Sequence, residues 1–166
     1  MSGIVRNLIA IVIAYFARGQ FDARSRVDSS YWVTPFDSGI SVLKSDKYLQ
    51  LAEAAQLDFL IKTKLLKRLT SGGIAFVNAS QFVRFGKPIR IFDRVRVETQ
   101  IAYSDDKCAY FSHFLFVGEL QHAEVLVKMK FKKGRITVPP AEIIGACELT
   151  KPPHLEAWDQ MLTAMS

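Results

Sequence analysis

Two periodicities divide the chain. Over residues 45–69 apolar side chains recur every three to four positions, Tyr48, Ala52, Ala55 and Phe59 forming a stripe that Leu49, Leu51, Leu57, Leu60 and Ile61 widen until little polar face remains. The spacing predicts a mostly buried helix with Ser45 as N-cap and Asp46 in its first turn. It should break near Thr63 and stop at Ser71-Gly72-Gly73. Beyond it the period becomes two. Residues 74–85 are strand-like, Gly86-Lys87-Pro88 is a turn, and 94–101 alternates polar and apolar without a fault, as a sheet with one wet face requires. Asp105-Asp106-Lys107 leads into an aromatic strand over 108–117, Gly118-Glu119 turns again, and Ala123 to Phe131 alternates with Glu124, Lys128 and Lys130. These four strands read as a meander. Upstream, 27–36 is rich in aromatic and β-branched residues and reads as a further strand ended by Pro35. After Pro139-Pro140, residues 141–147 and 154–165 read as short terminal helices.

The class expected is α+β: an antiparallel five-stranded sheet wrapped around one long central helix. A single helix this apolar must be covered, and the sheet's inner face is the surface available. The exposed edges of such a sheet call for pairing in a homodimer or tetramer. The organisation expected is an N-terminal apolar helix and linker over 1–24, the main domain over 25–147 and a C-terminal tail helix over 148–166.

Composition narrows the class of partner. The 166 residues are 49% hydrophobic and 23% charged, which fits one packed core and excludes a disordered or collagen-like chain. A net charge of +6 suits an anionic partner. Nucleic acid is set aside, because Phe85 and Phe92 read as core residues rather than exposed stacking aromatics. Cys108 and Cys147 form no CxxC, so neither a zinc site nor a disulfide framework is expected, and a reducing compartment fits. Residues 8–17 (LIAIVIAYFA) are apolar between Arg6 and Arg18 but about half the roughly 20 residues a spanning helix needs. A packed helix, an interfacial anchor over 4–17 and an uncleaved signal are the readings open to this segment, and the packed helix is adopted.

The pieces of a family appear in order along 32–144: Trp32-Val33-Thr34-Pro35-Phe36-Asp37, Tyr48-Leu49, Leu57-Asp58-Phe59-Leu60, Leu65-Leu66, Val83-Arg84-Phe85, Ile91-Phe92-Asp93, Leu126-Val127-Lys128 and Val138-Pro139-Pro140-Ala141-Glu142. In this order they resemble the hotdog-fold acyl-CoA thioesterases similar to 4-hydroxybenzoyl-CoA thioesterase. The resemblance implies a hotdog fold and hydrolysis, or binding, of a fatty or aromatic acyl thioester of coenzyme A or acyl carrier protein in a tunnel at a dimer interface. The alternative is a non-catalytic hotdog protein that binds such a thioester, with membrane association as a further variant. It implies a cytoplasmic protein, or one peripheral to the inner membrane, with no cofactor.

The loop departs from the family's Asp-x-Asp followed by His-Met-Asn-Asn-x-x-Tyr. Asp37 stands eleven residues before Tyr48, and the His is absent. Thioester hydrolysis needs a carboxylate to direct water or attack, and N–H donors aimed at the oxyanion. Two carboxylates are candidates: Asp37 at the strand end, and Glu53, whose apolar neighbours on the helix would desolvate it and favour a general base. Amides near Lys44 to Asp46 supply oxyanion donors, and the candidate substrate-binding residues are Ser45, Tyr48, Arg84, Lys87 and Arg90. Basic residues of this kind commonly border the coenzyme A phosphates in the family, and a solvated sheet face is the other reading. His113 and His122 flank the Gly118 turn and are expected to pair across the hairpin, His154 lies in the tail, and no metal site is expected. With no G-x-S-x-G, serine-triad chemistry is set aside.

Overall fold

The computed structural model describes residues 21–147 and 150–165. In chain order it contains β1 (Val27–Trp32), α1 (Ser45–Lys62), α2 (Leu65–Ser71), β2 (Ala75–Phe85), β3 (Arg94–Ser104), β4 (Ala109–Val117), β5 (Leu120–Lys133), β6 (Ile136–Val138), α3 (Ala141–Ile144) and α4 (Pro153–Ala164). The strands form one antiparallel sheet in the order β1-β3-β4-β5-β2, with β6 beside the far end of β5. The sheet therefore has six strands rather than five, and only β3, β4 and β5 form a meander. The strand that precedes them in sequence, β2, pairs with β5, Phe82 facing Leu126 and Phe85 facing Ala123. The connection over 86–93 then carries the chain across the end of the sheet to its middle.

Strict alternation makes the two faces of this sheet chemically different. Val95 and Val97 on β3, Phe111 and Leu115 on β4, and Val125, Val127, Met129 and Phe131 on β5 all turn inward and are buried under α1. Phe59 of α1 meets Phe111 edge-on, ring centroids 5.6 Å apart. The helix stops where expected: Thr63 Oγ1 donates back to Phe59 O at 2.7 Å, and Lys64 takes a left-handed conformation, φ 60°, before α2 begins. The opposite face carries a second, smaller core, in which Leu155 and Trp158 of α4 pack on Cys108, Tyr110 and Leu126.

His113 and His122 do not pair. His113 faces Val125 across the β4–β5 ladder and is fully buried, its ring stacked on Phe111 and its Nδ1 3.0 Å from Thr99 Oγ1. Burial disfavours the imidazolium and pushes its pKa down to about 3. The ring of His122 instead lies with Nδ1 3.0 Å from Pro88 O. The helix expected over 8–17 lies outside the described residues. Among those described, no helix is long and apolar enough to cross a membrane.

Candidate functional site

Residues 34–44, between β1 and α1, form a compact loop whose shape follows from its turn residues. Pro35 ends β1, and Thr34 then donates both its N–H (3.1 Å) and its hydroxyl (2.6 Å) to Asp37 Oδ2, while Asp37 N–H returns to Thr34 O at 2.9 Å. The Asp37 side chain is thereby buried. Next, Gly39 N–H donates to Val42 O at 2.9 Å, Ser38 and Leu43 bridge, and Lys44 N–H closes on Asp37 O at 3.1 Å. The loop is zipped to the β2–β3 connection by Leu43 N–H to Ile89 O (2.8 Å) and Ile91 N–H to Ser41 O (3.1 Å).

These bonds put the Asp37 backbone beside the start of α1, with its buried carboxyl turned to Thr34. The N-cap position is Lys44 rather than Ser45, which is the first helical residue and exposed, and no side chain caps the helix. Lys47 N–H closes on Lys44 O at 2.9 Å, and the amides of Ser45 and Asp46, with the positive end of the helix dipole, are left for other acceptors. Tyr48, one turn in, is buried against Phe85, ring centroids 5.0 Å apart in a T-shape. Burial pushes its phenol up from the usual value, with a backbone hydrogen bond at Ile89 acting against it. Lys87 and Arg90 lie exposed on the connection at this same end, Arg90 N–H donating to Asp93 Oδ2 at 2.7 Å.

Five of the seven expected site residues thus share one end of the sheet: Asp37, Ser45, Tyr48, Lys87 and Arg90. The other two lie apart from them, Glu53 further along α1 and Arg84 on the other face of the sheet. Glu53 is exposed, so the burial on which its selection rested is absent. The helix buries Leu51, Ala52, Ala54, Ala55 and Phe59 on the sheet, whereas Leu49, Leu57 and Ile61 are only half covered, and Glu53 falls on that outer side. Arg84 is turned to the opposite face of the sheet from α1, where it pairs with Glu124 at 3.1 Å. Phe85 and Phe92, expected in the core, are exposed at the site end.

Sequence reasoning also missed two polar clusters beneath α1. Gln56 is buried and donates from Nε2 to Asn78 Oδ1 on β2 at 3.2 Å, while its Oε1 has no partner. Buried Asp58 accepts from Ser29 Oγ at 2.5 Å and from Lys62 Nζ at 2.6 Å. The signal for both was present: two polar positions, Gln56 and Asp58, one on each side of Leu57 in the most apolar stretch of the helix. Among the described residues, no group of His, Cys, Asp and Glu is placed to hold a metal ion.

The model of the thioesterase-like superfamily matches residues 39–146, and the chain belongs to that superfamily. Solved structures with the same fold include a probable thioesterase from Bartonella henselae, 18% identical, covering 69% of this chain and 98% of its own, TM-score 0.63. The probable thioesterase YbaW from Escherichia coli is 16% identical over 71% of this chain and 96% of its own, TM-score 0.67. A DHNA-CoA thioesterase from Staphylococcus aureus is 14% identical over 83% of this chain and 91% of its own, TM-score 0.61. No curated protein matches the chain. The fold is the hotdog fold, an α+β architecture in which the sheet wraps one central helix.

Proposed function

We propose that this protein hydrolyses an acyl thioester, with Asp37 directing the water and the amides at the start of α1 receiving the oxyanion. The observation that carries the reading is the Asp37 carboxyl, buried and held by Thr34, with its own backbone carbonyl bonded to Lys44 N–H at the uncapped helix end. In the reaction, water adds to the thioester carbonyl as Asp37 takes its proton, and collapse expels the thiolate, which leaves as the free thiol. Lys87 and Arg90 suit the phosphates of coenzyme A, or of the phosphopantetheine arm of an acyl carrier protein. The acyl group is fatty or aromatic. Cys108 and Cys147 are free thiols, which supports a cytoplasmic location.

A second copy completes this reading. β2 has a ladder partner on one side, β5, and its eleven residues hold a single charge, Arg84, with Val77 and Phe82 exposed. An edge this long and apolar calls for pairing, and a homodimer along β2 brings Gln56 and Asn78 close to the shared boundary.

The test is free-thiol release from a panel of acyl-CoAs. Asp37→Asn should lower kcat/KM by about 10²–10⁴ with the fold intact, and Glu53→Gln by less than about tenfold. The reverse ranking would move the chemistry to Glu53. Binding of acyl-CoA by a wild type that releases no thiol would instead establish the non-catalytic alternative. For the dimer, Phe82→Lys should shift the sedimentation velocity toward the monomer.

A further inference from the structure

We infer that the end of the sheet carrying the 34–44 loop docks on an anionic bilayer surface, inserting Phe36, Ile40 and Phe92 among the lipids. The docking end is the one on which the proposed hydrolysis is placed, but docking rests on separate observations and its test reads vesicle binding rather than activity. The observations are of three kinds.

The first is the concentration of apolar surface at one end. Ile40 at the loop tip is 104% exposed, Phe36 78%, Phe92 68% and Trp32 65%. The topology holds them together: Trp32 faces Arg94 at the start of β3, and Phe92 N–H donates to Val33 O at 2.9 Å. The β4–β5 turn arrives at the same end, since Val95 faces Val117 and Val117 faces Leu120, itself exposed. A water-facing patch of this kind marks an interaction surface.

The second is how Phe92 is held. Its φ is 68°, a left-handed conformation that a bulky side chain rarely adopts. The 90–93 turn fixes it there through Arg90 N–H to Asp93 Oδ2 and Asp93 N–H to Arg90 O. The backbone is thus constrained in a rare conformation with an aromatic ring left in solvent, an arrangement that core packing does not explain.

The third is charge. Lys44, Lys87, Arg90 and Arg94 are exposed around the patch. Of the acids at this end, Asp37 is buried and Asp93 is half-buried in the 90–93 turn, so the four exposed cations face the exposed Asp46 and Glu119 and the partly covered Asp93. Apolar tips ringed by Lys and Arg are complementary to a surface with hydrocarbon below and anionic headgroups above. A nucleic acid would be complementary to the same charge, and Trp32, Phe36 and Phe92 could stack on bases, but the aliphatic tips Ile40 and Leu120 have no planar face and favour hydrocarbon.

The experiment uses the full chain with phosphatidylcholine vesicles, with and without phosphatidylglycerol. The protein has two tryptophans, and Trp158 is buried under α4, so a Trp158→Phe variant reports on Trp32 alone. Brominated acyl chains should quench Trp32 on phosphatidylglycerol-containing vesicles, and added salt should reverse the binding. The double variant Phe36→Asp/Ile40→Asp, checked for an unchanged thermal transition, should lose about tenfold or more in vesicle partitioning. Unquenched Trp32, or partitioning that survives the double variant, overturns the proposal and assigns any vesicle binding to another segment. So does an effect of that variant confined to oligonucleotide binding, or a fall in oligomeric state without a change in partitioning.

Discussion

The two faces of the sheet are each covered by a helix, and they solve the problem of covering in opposite ways. Beneath α1 the core is broad and apolar, and the few polar groups inside it meet near neighbours: Thr99 with the neutral His113, Gln56 with Asn78, and Asp58 with Ser29 and Lys62. Beneath α4 the apolar island is small, and a charged cluster at its rim holds the helix: Asp159 accepts from Tyr110 and Lys151, and from Lys128 at 2.8 Å. Burial pushes the Asp159 carboxyl up, yet the bonds from Lys128, Lys151 and Tyr110 outweigh this and hold it below the usual carboxylate range. Burial and the bond to Asp159 push the Tyr110 phenol far above its ordinary value. One face derives its stability mainly from area and holds, among the described residues, a single ion pair, Asp58 with Lys62; the other has too little area and uses a cluster of charges at its half-buried margin. The lesson is that the inner face should fail as a whole, whereas the outer face can open alone.

The largest effect should come from the inner core. Phe59→Ala removes a fully buried ring and should destabilise the whole protein by about 3–5 kcal/mol, read as a shift of the urea midpoint. Acid is the next probe. The folded-state pKa of His113, about 3, is below its ordinary 6.5, so the unfolded chain takes up the proton first. Stability is then complete above about pH 6.5 and falls as pH drops toward 3, with a slope approaching about 1.4 kcal/mol per pH unit. Urea midpoints across that window measure it, and His113→Phe should flatten the curve; an unflattened curve would place the acid sensitivity elsewhere. Asp159→Asn should cost about 1–2 kcal/mol and raise amide exchange in 151–165 while core amides stay protected. Because its carboxyl is depressed, the Asp159 contribution persists above the ordinary carboxylate value and is lost only at lower pH, so the two faces should separate in an acid titration. If core amides opened together with α4, the two faces would be one cooperative unit. Smallest is Arg96→Gln, which removes a cation stacked 4.4 Å over Phe116 on the outer face and should cost about 0.5 kcal/mol.

How much of this was legible follows from where each residue sits. The run Arg94 to Ile101 could be read because β3 has one wet face and one dry one, so its pattern reports its environment directly. The break at Thr63 was legible through the exhaustion of the apolar stripe, and the left-handed Lys64 is its structural form. The place of β2 was not legible, since alternation fixes which face a residue takes but not which strand lies beside it. Nor was β6, whose three residues are too few to show a period. Glu53 was misplaced for a related reason: Leu49, Leu57 and Ile61 read as a second buried face, but in the chain alone that side of α1 is half covered. The turn that holds Asp37 was legible from Pro35, whereas the bonds from Thr34 that bury its carboxyl were not. Arg84 was grouped with Lys87 and Arg90 as a basic residue bordering the substrate's phosphates, and strand alternation carried it to the other face.

The zipping of the 34–44 loop bears on the order in which the molecule is made. Ser41 and Leu43 are held by Ile91 and Ile89, close to fifty residues away in the chain, and that connection is itself held where Gly86 and Lys87 N–H donate to His122 O at 2.9 Å. Gly86 passes so close that an added Cβ would lie 3.1 Å from that carbonyl. Each of these bonds requires a distant segment to be in place first, and loop closure over such separations is slow compared with forming the β3–β4–β5 hairpins. In pulsed hydrogen exchange during refolding, the amides of Leu43 and Ile91 should gain protection after those of 120–133. The end of the sheet that carries the 34–44 loop is on that account a late product of folding, formed only in chains whose sheet is already complete.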